Sequence, residues 1–393
     1  MSSPINISNF ESISDELDRL KTEHLIRRCD CVESAQGPRV RLADCTEKVL
    51  FCSNNYLNLA GDNRVIEAAV EAMRAYGFGA AAARLVSGTM RPHIELEEKM
   101  ARFLRKEAAL YLPSGWTANQ ALLTALPQKG DLVLIDRFDH ASIIDAVRAG
   151  QAEFRTYRRD RPERLERMLA EGGYKHAFIV TESVFSMDGD TADIKTLVAL
   201  KRRYGAILIV DEAHALGCIG PRGAGLCEEM GVLDEVDIIV APLGKAVAAT
   251  GGIIAGPRVV IDYLVNRARP FIYTTACPPA IAAGAAKAIS IIEAEPERRR
   301  RLNDAAALLR ARLTAIGLDI GQSTTHIVPV VLGEAEKAMA VSKSLYEAGY
   351  YVVAIRPPTV PPRTARLRIS VQADHAQAQI TGLCEALKAI LKS

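Results

Sequence analysis

Two short stretches of the chain end in residues that can do chemistry. ILIVDEAHALG is an apolar, β-branched run from Ile207 to Val210 that gives way to Asp211 and, three residues later, His214. VDIIVAPLGKAVAATGG holds a second such run, Ile238 to Val240, followed by a turn that carries Lys245. Alone, Asp211 reads as a helix cap and Lys245 as a surface lysine. A lysine beside an acid, with no phosphate-cradling Walker loop, suits carbonyl chemistry. The amine forms a Schiff base, and the acid keeps a pyridine nitrogen protonated so that the ring can take up the electrons of an α-carbanion. Together, at two strand ends, the pair points to pyridoxal 5′-phosphate.

Such chemistry needs both residues on one edge of a sheet. Short apolar runs bounded by turns read as parallel strands buried on both faces. In open α/β sheets the ligand sits beyond the carboxyl ends of those strands. Three other stretches lead to the same edge. In AALYLPSGWTANQALLTAL a strand, a turn and a helix follow one another. The SGWTAN turn presents backbone N–H groups that favour an anion, or else Ser114 simply caps the helix. DLVLIDRFDHASIIDAVRAG ends a strand near Asp136 and opens a helix at His140. AFIVTESVFSMDGD supplies a fourth strand, with Glu182 and Ser186 expected in the loop after it. Strands alternate with helices to about residue 255, the pattern of a doubly wound α/β sheet.

Around this core, FESISDELDRLKTEHLIRR predicts an amphipathic helix over residues 10–28 that packs on the main body or on a partner subunit. PRVRLADCTEKVLFCS reads as a hairpin, and a helix is expected from Asn63 to Tyr76. Pro270, Pro278 and Pro279 mark a change of pattern before a long Ala-rich helix. The last hundred residues read as a smaller α+β unit. The expected organisation is an N-terminal helix and arm (1–60), a large cofactor domain (61–285) and a small C-terminal domain (286–393). Arg298 to Arg301, among acidic neighbours, are expected on a solvated helix face.

Composition bounds the rest. A formal net charge of +2 over 393 residues argues against a nucleic-acid binder. No apolar run reaches membrane-spanning length. MSSPINISNFESISDELDRL lacks a signal pattern, and eight scattered Cys fit a reducing cytoplasm. Cys29 and Cys31 have no second pair at zinc spacing, so no metal site is expected. Cys52 and Cys277 are expected to pack rather than react.

Nine motifs occur in one order: NNYL, SGWTAN, DHASI, FSMDGD, VDEAH, LGKA, TTACPP, IRPPTVP and TARLRIS. In that order they resemble the α-oxoamine synthases, pyridoxal-phosphate enzymes of aminotransferase fold type I that join an amino acid to an acyl-CoA. The resemblance covers roughly residues 40 to 375. It implies a mostly parallel, seven-stranded-type sheet flanked by helices, with a smaller α+β C-terminal domain. It implies that Lys245 holds the cofactor and shuttles the α-proton, that Asp211 pairs with the pyridinium nitrogen, and that His140 stacks on the ring. His214 and Ser186 would bond the phenolic oxygen. The backbone of Gly115 and Trp116 would hold the phosphate, and Thr274 and Thr275 would reach it from the second subunit of a homodimer. Arg368 would pair with the amino-acid carboxylate, with Arg366 on the same strand face as the alternate choice. Asn54 would assist, and Arg28 or its neighbour Arg27 would help bind substrate.

One position departs from the family pattern. Three residues before the lysine the family usually has Thr or Ser, whose hydroxyl bonds the phosphate. Pro242 offers neither hydroxyl nor N–H, so one phosphate contact fewer is expected. IRPPTVPPRTARLRIS is most similar to the family branch that uses L-alanine and a pimeloyl thioester, carried on CoA or on acyl carrier protein, in biotin biosynthesis. FCSNNYL and VFSMDGD fit equally the branch that uses glycine and acetyl-CoA; the serine-palmitoylating and aminolevulinate branches fit less well. Two other readings are a non-catalytic partner subunit, whose mark would be a missing lysine, and a plain aminotransferase on the same fold.

Overall fold

The computed structural model describes residues 10–23, 25–27 and 29–392. The chain opens with α1 (Glu11–Thr22) and a hairpin of β1 (Arg39–Arg41) and β2 (Glu47–Leu50), followed by α2 (Asn63–Tyr76) and α3 (Arg91–Phe103). The central layer then runs through β3 (Ala108–Leu112), α4 (Gly115–Ala125), β4 (Leu132–Asp136), α5 (Ala141–Ala149), β5 (Glu153–Tyr157) and α6 (Pro162–Ala170). It continues with β6 (Ala177–Glu182), α7 (Ile194–Tyr204), β7 (Ile207–Asp211), α8 (Leu226–Glu229), β8 (Ile238–Pro242) and β9 (Gly252–Gly256). Helices α9 (Arg258–Arg267), α10 (Arg269–Ile272), α11 (Pro279–Ala294) and α12 (Pro296–Ala315) lead to the C-terminal part. That part holds β10 (Ile327–Gly333), α13 (Ala335–Glu347), β11 (Tyr350–Tyr351), β12 (Val353–Ile355), β13 (Ala365–Ser370) and α14 (Gln377–Lys392).

Seven strands form the main sheet in the order β3-β9-β8-β7-β6-β4-β5. Only β9 runs against its neighbours, so β3, β4, β6, β7 and β8 all end on one edge. The two-residue side-chain period divides each buried run between two cores. Leu208 and Val210 pack in one cluster and Ile209 in the other, as do Ile239 against Ile238 and Val240. Local capping fixes the helix starts: the Ser114 side chain accepts from Thr117 N–H, and Asp193 accepts from Thr196 N–H.

The hairpin β1–β2 joins β11 in a three-stranded sheet, so the N-terminal arm is tied to the C-terminal part. A second small sheet has the order β10-β13-β12 and places β13 between two antiparallel partners. The expected boundary at residue 285 falls inside α11, which packs on α2 and α3.

Three expectations need correction. The first helix stops at Thr22 instead of continuing to residue 28, and it buries none of its residues. A helix with no buried face lacks the tertiary packing that sustains further turns; beyond it, Arg356 takes the carbonyl of Ile26. Glu182 is the last residue of β6, not part of the loop, because it pairs in register with Asp211 of β7. The run Arg298 to Arg301 is only in part a solvated face: Arg300 and Arg301 are exposed, but the two before them are not. Arg298 pairs with Asp62 and Glu295, and Arg299 is buried and donates to the carbonyls of Ile292 and Pro221.

Candidate active site

A cavity of about 580 Å³ opens at the carboxyl edge of the main sheet. Its lining includes Asp211 from the end of β7, Glu182 from the end of β6, Pro242 from the end of β8 and Lys245 from the turn after it. The starts of α4 and α5 contribute Gly115, Trp116 and His140, and the segment after β2 contributes Asn54. One fold edge therefore gathers residues from six separate stretches of sequence.

Lys245 Nζ has no hydrogen bond or ion pair with any described residue. Burial lowers its pKa from the ordinary lysine value; Asp211 and Glu182 pull the other way, and Arg368 adds to the lowering. The amine is thus biased toward its neutral, nucleophilic form. The Asp211 carboxylate is fixed from two sides: Oδ2 accepts from Asn119 Nδ2 at 3.0 Å and Oδ1 from Ala213 N–H at 2.9 Å. Asn119 also donates to Ser142 Oγ at 2.9 Å. Asn119 stands in the SGWTAN motif, but only the folded chain reveals that it orients the acid.

His140 caps α5, its Nδ1 standing 2.8 Å from Ser142 Oγ. The ring is open to solvent in the cavity and meets Trp116 edge-on, with centroids 6.2 Å apart. Desolvation by the surrounding protein, with Lys245 nearby, lowers its pKa despite the opposing Asp211. At the start of α4, the Ser114 hydroxyl is taken by Thr117 N–H and Oγ1. The N–H groups of Gly115 and Trp116 have no acceptor among the described residues, which leaves them to an anion. Ser114 thus caps the helix, and the neighbouring N–H groups stay free for an anion. Glu182 is almost fully buried, its Oε2 has no hydrogen-bond partner among the described residues, and burial beside Asp211 pushes its pKa up to about 8.

Arg368 lies buried on β13. It donates to the Ser186 carbonyl at 2.6 Å, to Ser370 Oγ at 3.0 Å and to Tyr56 Oη at 3.3 Å, with Asn54 Oδ1 at 3.4 Å. All these partners are neutral. Arg366 instead forms an ion pair with Asp188 and donates to the Thr364 carbonyl. Tyr56, overlooked by sequence reasoning, ties the group together: its hydroxyl also stands 2.8 Å from His214 Nδ1 and 2.9 Å from Asn54 Oδ1. Burial drives the Tyr56 pKa up to about 12 and the His214 pKa well below the usual range, so both are neutral near pH 7.

Not every expected residue meets in this cavity. Neither His214 nor Ser186 is in its lining; His214 is engaged with Tyr56, and Ser186 with Arg368 through its carbonyl. Thr274 and Thr275 lie apart from it, Thr275 being exposed and its backbone bridging to Ala83. Arg28 is outside the described residues, and its neighbour Arg27 is exposed. Cys277 is buried and Cys52 half-buried, and burial raises both thiol pKa values, that of Cys52 to about 12. No helix among the described residues is long and apolar enough to cross a membrane.

Comparison with known proteins places this geometry. The model of the family "aminotransferase class I and II" matches residues 46–387. An 8-amino-7-oxononanoate synthase of Geobacter sulfurreducens is 45% identical over 384 residues, covering 97% of this chain and 98% of that protein. Among solved structures, a serine palmitoyltransferase from S. paucimobilis with a bound PLP–myriocin aldimine superposes with a TM-score of 0.92 at 30% identity, over 99% of this chain and 98% of that one. An 8-amino-7-oxononanoate synthase from Francisella tularensis gives a TM-score of 0.77 at 29% identity, over 88% and 98% of the two chains.

Proposed function

Since the chain belongs to the aminotransferase class I and II family and, within it, to the α-oxoamine synthases, we propose that it is a pyridoxal-phosphate-dependent C-acyltransferase. It joins L-alanine to a pimeloyl thioester with loss of carbon dioxide, giving 8-amino-7-oxononanoate. CoA is the proposed carrier of the acyl group. The observation that carries the reading is Lys245: a lysine with a lowered pKa and no partner, in the same cavity lining as an acid fixed by two donors.

The residues present fit the cofactor. Free N–H groups at the start of α4 suit its phosphate, Asp211 suits its ring nitrogen, and the His140 ring supplies a face for stacking. When bound, pyridoxal phosphate supplies an aldehyde for amines and a ring that takes up the electron pair left at the α-carbon. Lys245, biased toward its neutral form by burial, accepts the α-proton and later returns one. Asp211, oriented by Asn119, keeps a proton at the ring nitrogen. Arg368, a buried cation with only neutral partners, receives the amino-acid carboxylate, and Asn54 supports it. We assign the carboxylate to Arg368 over Arg366 because Asp188 already neutralises Arg366.

We further propose a homodimer, in which Thr274 and Thr275 serve the partner's phosphate; their position away from this chain's own cavity supports it. Arg28 stays a proposed substrate contact, and His214 acts through Tyr56.

The test is thiol release from pyridoxal-phosphate-loaded protein given L-alanine, glycine or L-serine, each with pimeloyl-CoA or acetyl-CoA. Release with L-alanine and pimeloyl-CoA, with the product identified by mass, is expected. Release only with glycine and acetyl-CoA would overturn the substrate assignment, and no release with any pair would favour a non-catalytic subunit.

A further inference from the structure

A second cavity of about 500 Å³ lies where the glycine-rich loop after β7 meets α12 and the segment entering β10. It shares no lining residue with the first. α12 lines it with Arg299, Asn303 and Arg310. At 100° per residue these positions return to one helix face, and the two arginine α-carbons stand about 16 Å apart along the axis.

Neither guanidinium forms an ion pair with a described residue. Arg299 donates to the carbonyls of Ile292 and Pro221, reaching away from Arg310, which donates to the Thr325 carbonyl. Glu229 is the only carboxylate in the lining and is exposed. Nearby Glu228 is already taken by Arg222. The lining also includes His326, which is 1% exposed and has no hydrogen bond at either ring nitrogen among the described residues. Its ring packs edge-on against Tyr56, centroids 4.1 Å apart. Burial, with Arg368 and Arg310 nearby, depresses its pKa to about 3, so it is a neutral imidazole with one N–H to donate.

A buried guanidinium and a half-buried one, neither in an ion pair with a described residue, and a buried unpartnered polar ring are costly unless a ligand meets them. The separation of the arginines along α12 suits two anionic groups better than one. We propose that this cavity binds a small organic dianion whose two oxyanion groups are received by Arg299 and Arg310, with Asn303 and His326 completing the polar lining. Such a ligand would touch both the loop after β7 and the entry to β10, and so tie the main sheet to the C-terminal part.

The test is calorimetric titration of the pyridoxal-phosphate-loaded protein with α,ω-dicarboxylates from succinate to pimelate, and with inorganic phosphate as the single-headed anion. L-Alanine is kept saturating to occupy the first cavity. Saturable binding of at least one dicarboxylate is expected, with Kd raised about ten-fold or more in Arg310→Gln, which removes one charge-assisted contact. Asn303→Leu, an exposed position on that same helix face, is expected to weaken binding as well and serves if Arg310→Gln does not fold. No saturable binding, phosphate binding as tightly as every dicarboxylate, or an unchanged Kd in the variants would overturn the proposal.

Discussion

Arg366 and Arg368 leave the same face of β13, yet only Arg366 meets a carboxylate, that of Asp188. The guanidinium of Arg368 ends among a backbone carbonyl, hydroxyls and an amide oxygen. A buried cation with neutral neighbours is ready for an anionic substrate, whereas a paired one is not. Arg368→Lys keeps the charge but loses the fork, and is expected to raise KM for the amino acid about a hundred-fold. Arg366→Lys is expected to leave that KM within about three-fold, since its partner is Asp188. Steady-state kinetics over amino-acid concentration separates the two.

A methyl group on Gly115 would sit 2.6 Å from Pro242 Cβ and Cγ. The start of α4 and the end of β8 thus meet too closely for any side chain, and the proposed phosphate site lies at that approach. Gly115→Ala must displace one of the two, and is expected to weaken cofactor binding about ten-fold or more. Pro242→Thr restores a hydroxyl at the end of β8, where only β9 pairs with it. One hydrogen bond to a charged group is expected to tighten cofactor binding about ten-fold. Fluorescence titration of the apoprotein with pyridoxal phosphate measures both; a Pro242→Thr variant that binds no tighter would show that the proline costs no phosphate contact.

Much of the architecture was legible because it is written locally. Apolar runs such as Ile207–Val210 specify strands, and each leads into an acid or a turn, so Asp211, Lys245 and His140 could be named as candidates from the strand ends that carry them, and the fold brings all three into one cavity. What escaped depends on contacts between distant parts of the chain. Tyr56 meets Arg368 across 312 positions, and no local pattern marks that meeting. Asn119 reads as an ordinary helical residue until β7 brings Asp211 to it. Arg298 and Arg299 look like a solvated run because only the tertiary fold brings Asp62 and the carbonyls of Ile292 and Pro221 to them. The choice between Arg366 and Arg368 was likewise open, since both share one strand face and only the folded chain brings Asp188 to Arg366.

Glu182 should leave a signature in the pH dependence of stability. Its pKa is raised from the ordinary 4.5 to about 8 by burial and by Asp211, so the folded state holds a proton that the unfolded chain gives up. The stabilisation is fully present below pH 4.5 and is lost as pH rises through about 8. Buried His214, His326 and His375 have lowered pKa values and act oppositely, their contribution being present above 6.5 and lost as pH falls. Subtracting a Glu182→Gln variant from the wild type cancels the histidines. The difference in urea-unfolding free energy is expected to fall with rising pH by at most about 1.4 kcal/mol per unit between pH 5 and 8. A flat difference curve would mean that Glu182 is ionised in the folded protein.

Placing Thr274 and Thr275 at the partner's phosphate makes a prediction that no single chain can satisfy. A Lys245→Ala chain has no amine for the cofactor but keeps its threonines. A chain with Thr274→Val and Thr275→Val keeps the lysine but has lost both hydroxyls. If each site draws its lysine from one protomer and its threonines from the other, a mixed dimer contains one intact site and one doubly damaged site. Refolding the two variants together in equal amounts gives about half mixed dimers, and so about a quarter of the wild-type sites. Activity near that fraction, well above the average of the two parents, is the expected outcome, read as thiol release per chain. If the threonines served their own chain's site, every lysine-bearing site in the mixture would remain damaged. Activity would then not exceed the parental average, and the shared site would have to be abandoned.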